Sequence, residues 1–258
     1  MVREAARGWA VPPRANRLKE HMLPRPLARL DLSFLQRPAQ AAVPSPSTEL
    51  RSGEATLRMA MSRMPPVEFA RASATPAYST LARLEWGNES NGFTLTTDPI
   101  DVFIHASRRN GSADGQFAGD KFHLSVEPGS MNAAWDAISP LLLSADSPFD
   151  KWKITDMTRC PDHARVYRGA QFTLYAKTDT DTHYTAEHLK RIQSFVGELE
   201  SALSNAGVPA GERPASDASS FQWNYASYRN EHRSDRAGST DQHAQLAQEP
   251  FFKLTSGN

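Results

Sequence analysis

Lysines and one histidine recur on the polar side of two strand-like segments. In residues 121–126 apolar and polar residues alternate, which places Lys121 and His123 on the same face. In residues 151–155 the same two-residue period places Lys151 and Lys153 together, and Arg165 lies ten residues later, before the next strand-like run. Such a concentration of cations with one histidine could hold a phosphate dianion and also move protons. A solvated sheet face would show the same pattern, so the strands alone leave both interpretations open.

A third strand-like run extends the same arrangement. Residues 171–177 place Thr173, Tyr175 and Lys177 on a polar side together with Gln171. Each of the three runs therefore offers one apolar and one polar face to a sheet. The residues predicted to face the core are Phe122, Leu124, Val126, Trp152, Ile154, Phe172, Leu174 and Ala176.

Helical patterns fill the segments between these strands. Thr185 can cap a helix whose apolar residues follow the helical period, and Gly207 is a natural stop for it. A second helix is predicted from Asn132 to about Ser139, with a kink at Pro140 before residues 141–143, and a short one over Ala55–Met64. We predict an α+β fold with a central, largely antiparallel sheet and flanking helices.

The N-terminal segment has a different composition. Residues 1 to about 55 are rich in proline, alanine and serine, and their arginines and lysines outnumber their acidic residues. This composition is typical of a flexible leader. We therefore predict a leader over residues 1–55 and a folded domain over residues 56–258.

Composition also limits the classes of partner and site. The formal net charge is zero, which gives no support to nucleic acid or an anionic membrane as partners. Cys160 is the single cysteine, so an intramolecular disulfide and a cysteine-rich zinc site are excluded. The first thirty residues are interrupted by charges where a secretory signal would be continuously apolar, so the standard export route is not expected.

Three other kinds of phosphate chemistry are not supported by the spacing of residues. A cysteine-dependent phosphatase has five residues between its cysteine and its arginine, whereas Arg165 lies one position too close to Cys160. No glycine-rich loop with a following Lys-Ser or Lys-Thr is present. A metallophosphatase needs several carboxylates and histidines at ligand spacing, whereas Asp101 with His105 and His183 with His188 form no recognised set. We therefore expect neither a metal nor another cofactor.

Several long segments resemble one known family, the phosphothreonine lyases, which are type III secretion effectors of bacterial pathogens. The similarity runs from about Met64 to Leu254 in the same order and with similar spacing, so it covers nearly the whole predicted domain. The segments that carry it are DVFIHA (101–106), QFAGDKFH (116–123), DKWK (150–153), TDM (155–157), GAQFTLY (169–175) and SYRNE (227–231).

This resemblance implies the reaction and the roles of individual residues. The family removes phosphate from phosphothreonine by β-elimination and leaves dehydrobutyrine. Lys153 matches its general base and His123 matches its general acid. Lys121, which is grouped with these catalytic residues, matches a phosphate ligand, as do Arg165 and Arg229. The residues that match substrate-binding positions are Arg165, Arg229, Arg236, Tyr175, Phe103 and Phe117.

The resemblance also implies a substrate and a location. The substrates are host mitogen-activated protein kinases whose Thr-X-Tyr activation loop carries both phosphates, and their inactivation is irreversible. The protein would be secreted by a type III system into the host cell, with the cytoplasm and the nucleus as candidate compartments. A secretion chaperone is a further candidate partner.

One position departs from the family pattern. The family has an arginine directly after the Ile-His-Ala segment, where this chain has Ser107 followed by Arg108. We expect Arg108 to replace that arginine through a small loop shift and to bind the second phosphate.

The leader contains a basic run followed by alternating apolar residues. Arg25, Arg29, Leu30 and Leu32 resemble the docking motifs that bind a groove on these kinases. An ordinary proline-rich export leader is the alternative explanation of the same residues.

Lysine chemistry makes a demand on the site. The reference pKa of lysine is about 10.4, so catalysis by neutral Lys153 at pH 7 needs either a fall in its pKa of about 3 units or a very small active fraction. Lys121, Lys151 and Arg165 would lower its pKa through like charge, and burial beside Trp152 would act in the same direction.

A non-catalytic protein that sequesters the phosphorylated loop with the same arginines is the alternative function.

Overall fold

The fold is built around an antiparallel sheet. The structure is a computed structural model, and it describes residues 46–81, 83, 87–111, 115–234 and 239–257. Within these ranges the sheet has seven strands: β1 (Asn88–Ser90), β2 (Phe93–Thr97), β3 (Phe103–Arg108), β4 (Phe117–Leu124), β5 (Lys151–Thr155), β6 (Phe172–Lys177) and β7 (Ala226–Asn230). Their order is β1-β2-β3-β5-β6-β4-β7, and every neighbouring pair is antiparallel.

Helices accompany this sheet. They are α1 (Pro46–Ser62), α2 (Tyr78–Leu81), α3 (Met131–Leu142), α4 (Arg165–Arg168), α5 (Ala186–Asn205), α6 (Thr240–Ala247) and α7 (Pro250–Ser256). The α+β prediction with a central antiparallel sheet is confirmed. No helix in the described ranges is long and apolar enough to cross a bilayer.

The core lies on the face of the sheet where the apolar residues of the alternating strands point. All eight residues predicted to face the core are at most 1% exposed. Trp152 of β5 packs against Trp135 of α3 with 5.7 Å between ring centres, and Phe122 of β4 packs against Phe251 of α7 at 5.8 Å. Burying each such side chain stabilises the fold by about 1.5–3 kcal/mol. The helices are thereby held on this face, and the opposite face of the central strands remains for a site.

The predicted helix after Thr185 is confirmed. Helix α5 begins at Ala186, and the Thr185 side chain accepts a hydrogen bond from the N–H of His188. The chain leaves the helix through Gly207, whose φ of +65° is in the region that favours glycine. Burial of one face of α5 against the core explains why the apolar period indicated it so clearly.

Two other helices extend beyond their predicted ends. Helix α3 continues through Pro140 to Leu142, because a proline in the last turn removes only one intrahelical hydrogen bond. Helix α1 begins at Pro46 rather than near Ala55. Leu50 is buried and shares a stripe with Leu57 and Met61, so the helix must start before Leu50.

The division into leader and catalytic domain at residue 55 stays a prediction. Helix α1 crosses that position. The predicted docking residues Arg25, Arg29, Leu30 and Leu32 lie outside the described residues.

Candidate active site

Two rows of side chains cross the face of the sheet opposite the core. In the first row, Ser227, His123, Thr173, Lys153 and His105 are neighbours on five adjacent strands. His123 and Lys153 are each one strand away from Thr173. Because neighbouring strands lie about 4.8 Å apart, the backbones of His123 and Lys153 are about 10 Å apart. That separation leaves room for one substrate residue between the two side chains.

The second row lies two residues along each strand and carries the cations. Arg229, Lys121, Tyr175, Lys151 and Ser107 are its members, again in the order of the strands. The register therefore places the predicted phosphate ligands Arg229 and Lys121 beside the row that contains His123 and Lys153.

Three residues of each row line a cavity of ≈ 580 Å³. Its size suits a phosphorylated side chain with part of its backbone. The lining residues are Phe103, Lys121, His123, Lys153, Arg165, Val166, Ala170, Thr173, Tyr175, Arg229, Glu231 and Ser234. The structure thus brings together seven of the residues predicted for the site: Lys153, His123, Lys121, Arg165, Arg229, Tyr175 and Phe103.

Lys153 has an environment that favours its neutral form. Burial, followed by the positive charges of Lys121 and Arg165, lowers its pKa to about 8, while Asp101 and Glu231 act in the opposite direction. The Nζ atom also lies 3.6 Å from the centre of the Phe103 ring. About one tenth of Lys153 is neutral at pH 7 with this pKa, far more than for a solvated lysine.

The lowered pKa of Lys153 can be measured directly. Acetylation of Lys153 by a limiting amount of acetic anhydride, followed across pH by peptide mass spectrometry, is expected to have a midpoint near pH 8. In Lys121→Met the midpoint should move to higher pH, because a like charge that lowers the pKa of Lys153 has been removed. Lys190→Met is the control, since Lys190 contacts Gln193 on α5. An unchanged midpoint in Lys121→Met would contradict this electrostatic coupling.

His123 is oriented by a buried carboxylate. Its Nδ1 lies 2.6 Å from Oδ2 of Asp217, whose side chain is completely buried. Asp217 also accepts hydrogen bonds from Ser216 and Ser227. A hydrogen bond from Nδ1 to Asp217 leaves Nε2 as the ring nitrogen that can act in the cavity.

The pKa values of this pair reflect burial and mutual attraction. Burial lowers the pKa of His123, and the charges of Lys121 and Arg165 lower it further, whereas Asp217 acts to raise it. Burial acts to raise the pKa of Asp217, but the hydrogen bonds from His123 and from the two serines lower it overall. Asp217 is therefore ionised, and a phosphate dianion in the cavity would restore a proton to His123.

The cations are held in place by neighbouring acids and hydroxyls. Nζ of Lys121 lies 3.1 Å from Oε2 of Glu231, and Arg229 donates to Ser216 and lies 3.5 Å from Asp217. Holding both side chains before a substrate arrives reduces the entropy that binding would otherwise lose.

Aromatic side chains shape the cavity. Phe117 is 38% exposed and meets the edge of Tyr175 with 5.5 Å between ring centres, so it lies beside the cavity rather than in its lining. Burial, followed by Glu231 and Asp101, raises the pKa of Tyr175 to about 12, and its hydroxyl therefore keeps its proton and can donate to an anion.

Arg108 does not occupy the predicted position. Ser107 lies on the cavity face in register with Lys151, and alternation along β3 turns Arg108 to the opposite face. There its guanidinium binds Asp150 at 2.7 Å and lies 4.5 Å from the centre of the Phe93 ring. The expectation that Arg108 replaces the family arginine is therefore wrong for this structure. Arg236 lies outside the described residues, and its role stays a prediction.

Two site residues were missed in the sequence. Asp217 is 94 positions from His123 and follows no strand or helix period, so no local pattern could indicate it. Glu231 stands in the SYRNE segment, but its contact with Lys121 depends on the pairing of β4 with β7. Among the described residues, no group of three or more His, Cys, Asp or Glu side chains could hold a metal ion.

Known proteins are similar to this chain in sequence and in architecture. The OspF/SpvC family model matches residues 14–257. A MAPK phosphothreonine lyase of Salmonella typhimurium is 44% identical over 215 residues, which covers 83% of this chain and 89% of the relative. The phosphothreonine lyase OspF of Shigella flexneri is 46% identical over 191 residues, which covers 74% and 80%.

Solved structures agree with these matches. The structure of the Chromobacterium violaceum VirA (SpvC) phosphothreonine lyase effector has a TM-score of 0.80 and 42% identity, and the match covers 82% of this chain and 99% of that one. The OspF structure from Shigella flexneri has a TM-score of 0.71 and 39% identity, with coverage of 80% and 97%. This chain belongs to the OspF/SpvC family.

Proposed function

We propose that this chain is a phosphothreonine lyase that acts by β-elimination. The observation that carries the proposal is the placement of Lys153 and His123 on either side of Thr173 in one row, with the cations in the next row. An elimination needs a base at one carbon and an acid at the leaving oxygen of the next carbon, which is the arrangement that these two strands provide.

Lys153 acts on the α-carbon. Its neutral Nζ takes the α-proton and becomes an ammonium group, and the electron pair of the broken C–H bond moves toward the Cα–Cβ bond. Negative charge that develops on the substrate carbonyl is stabilised by the surrounding cations. The pKa of Lys153 of about 8 makes this transfer accessible near neutral pH.

His123 acts on the leaving group. As the Cα=Cβ double bond forms, the Cβ–O bond breaks and its electron pair leaves with the phosphate. Nε2 of His123 gives a proton to the departing oxygen, while Asp217 stabilises the imidazolium form beforehand. Lys121, Arg165 and Arg229 bind the phosphate dianion throughout. Dehydrobutyrine remains in the polypeptide, and the side chain cannot be phosphorylated again.

The proposed substrate is the doubly phosphorylated Thr-X-Tyr loop of host mitogen-activated protein kinases. The relative from Salmonella typhimurium is named a MAPK phosphothreonine lyase, which supports this choice. We further propose delivery into the host cell by a type III system, with the aid of a secretion chaperone. Arg25, Arg29, Leu30 and Leu32 would then dock on the kinase and raise its effective concentration near the site.

A binder that only sequesters the phosphorylated loop is the second candidate. The cations alone would serve such a protein. A lysine with a lowered pKa and a histidine held by a buried aspartate add nothing to sequestration, so they favour catalysis.

Mass spectrometry of a doubly phosphorylated Thr-X-Tyr peptide tests the reaction class. After incubation, the threonine residue is expected to be lighter than unphosphorylated threonine by one water, and the phosphotyrosine should be intact. A chelator should not reduce the rate, because the proposed acid and base are side chains. Recovery of threonine would indicate hydrolysis, and an unchanged peptide that stays bound would indicate sequestration.

A further inference from the structure

A second, smaller cleft adjoins the active-site cavity. Its volume is ≈ 230 Å³, and Arg165 belongs to the lining of both spaces. The two spaces are also adjacent along the chain, since Gly169 lines the cleft and the next residue, Ala170, lines the cavity. A polypeptide bound at the cavity can therefore reach the cleft by passing Arg165.

Helix α4 supplies the positive charge of this cleft. Arg165 and Arg168 are three residues apart, so they share one side of the helix. The two backbone segments beneath them are closely packed, because the N–H of Glu212 donates to the carbonyl of Arg168 and a Cβ on Gly169 would lie 1.7 Å from the Glu212 carbonyl oxygen. Gly169 is buried at the base of the cleft, and the Arg168 side chain above it is exposed.

The cations of the cleft exceed its acids. The guanidinium of Arg213 is held in position, since it donates to Ser219 and to the carbonyl of Trp223. The guanidinium of Arg168 makes no hydrogen bond or ion pair with any residue in the described ranges, and Glu212 is the acidic residue of the lining. The excess of positive charge favours an anion, and Arg168 is available to bind it.

We infer that this cleft binds a second anionic side chain of the substrate polypeptide, a carboxylate or a phosphate, close in sequence to the phosphothreonine. The inference rests on the proposed function, because it takes the eliminated phosphate to be held in the adjacent cavity. In an extended peptide, side chains two positions apart project to the same side about 7 Å apart. The anion is therefore expected within a few residues of the phosphothreonine.

Arg168→Gln tests the cleft with a set of peptides. One peptide carries phosphothreonine between neutral residues, a second series moves one glutamate through the flanking positions, and a third series moves one phosphoserine. For the wild-type protein, an anion at the matching position should lower KM by about 5-fold without changing kcat. In Arg168→Gln this gain should disappear, while KM for the neutral peptide stays the same.

Arg71→Gln is the matched control, because Arg71 is an exposed arginine that pairs with Glu198 and lines neither space. It should keep the full gain, and thermal melting should show that both variants are folded. The glutamate and phosphoserine series show which anion the cleft prefers. Equal KM values for all peptides in the wild type, or an equal rise for all peptides in Arg168→Gln, would overturn the inference. Absence of elimination from every peptide would instead contradict the proposed function.

Discussion

Replacing Lys153 with arginine is expected to lower kcat by at least about 100-fold while phosphopeptide binding stays within about 3-fold of the wild type. Arginine keeps the positive charge near the phosphate, so the attraction for substrate remains. Its guanidinium does not lose its proton at accessible pH, whereas burial and neighbouring charges lower the pKa of Lys153 to about 8. The variant therefore separates binding of the phosphate from removal of the α-proton.

Single-turnover kinetics and a separate binding titration measure the two quantities. Lys151→Arg is the matched control, because Lys151 lies on the same strand and the same face, with its Nζ 5.5 Å from the centre of the Tyr175 ring. This control should retain most of its activity, since Lys151 is in the second row, which carries the cations, and not in the first row, which contains Lys153 and His123. A similar loss in both variants, or near-normal turnover of Lys153→Arg, would place the base elsewhere.

The alternation of apolar and polar residues was enough to predict which face of each strand is buried and which face carries the site. Phe122, Trp152 and Leu174 are buried as their period indicates, and Lys153 lies on the opposite face of the sheet with His123. Periodicity is informative here because the helices cover only one face of the central strands. The order of the strands is a different matter, since β6 lies between β4 and β5 and no local pattern specifies that neighbour relation.

Positions that depend on a single residue or on distant pairing were less predictable. Arg108 follows Ser107 by one position, and one position on a strand reverses the face to which a side chain points. Family resemblance supplied roles for His123 and Lys153, yet it did not identify Asp217. That aspartate reaches the site through tertiary packing of a segment between α5 and β7, which leaves no mark on the local sequence.

Asp217→Asn is expected to lower kcat by about 100-fold. Asparagine has nearly the same shape, but it cannot stabilise the imidazolium form of His123 through charge. Asp217 opposes the effect of burial on the pKa of His123, so its loss should lower that pKa further. Because the reaction needs His123 protonated and Lys153 neutral, the maximum of kcat/KM should move to lower pH. Asp156→Asn is the control, since Asp156 is also buried but binds Thr158 away from the cavity.

A double substitution shows whether Asp217 acts through His123 or only supports the fold. If Asp217 is a positioning residue for His123, its loss should matter little once His123 has been replaced by asparagine. The kcat of His123→Asn/Asp217→Asn should then equal that of His123→Asn within about 3-fold, rather than showing the product of the two losses. Independent losses would mean that Asp217 acts elsewhere, most directly through Arg229, which lies 3.5 Å from its carboxylate. In that case KM for the phosphopeptide should rise together with the fall in kcat, because the phosphate ligand would have been disturbed.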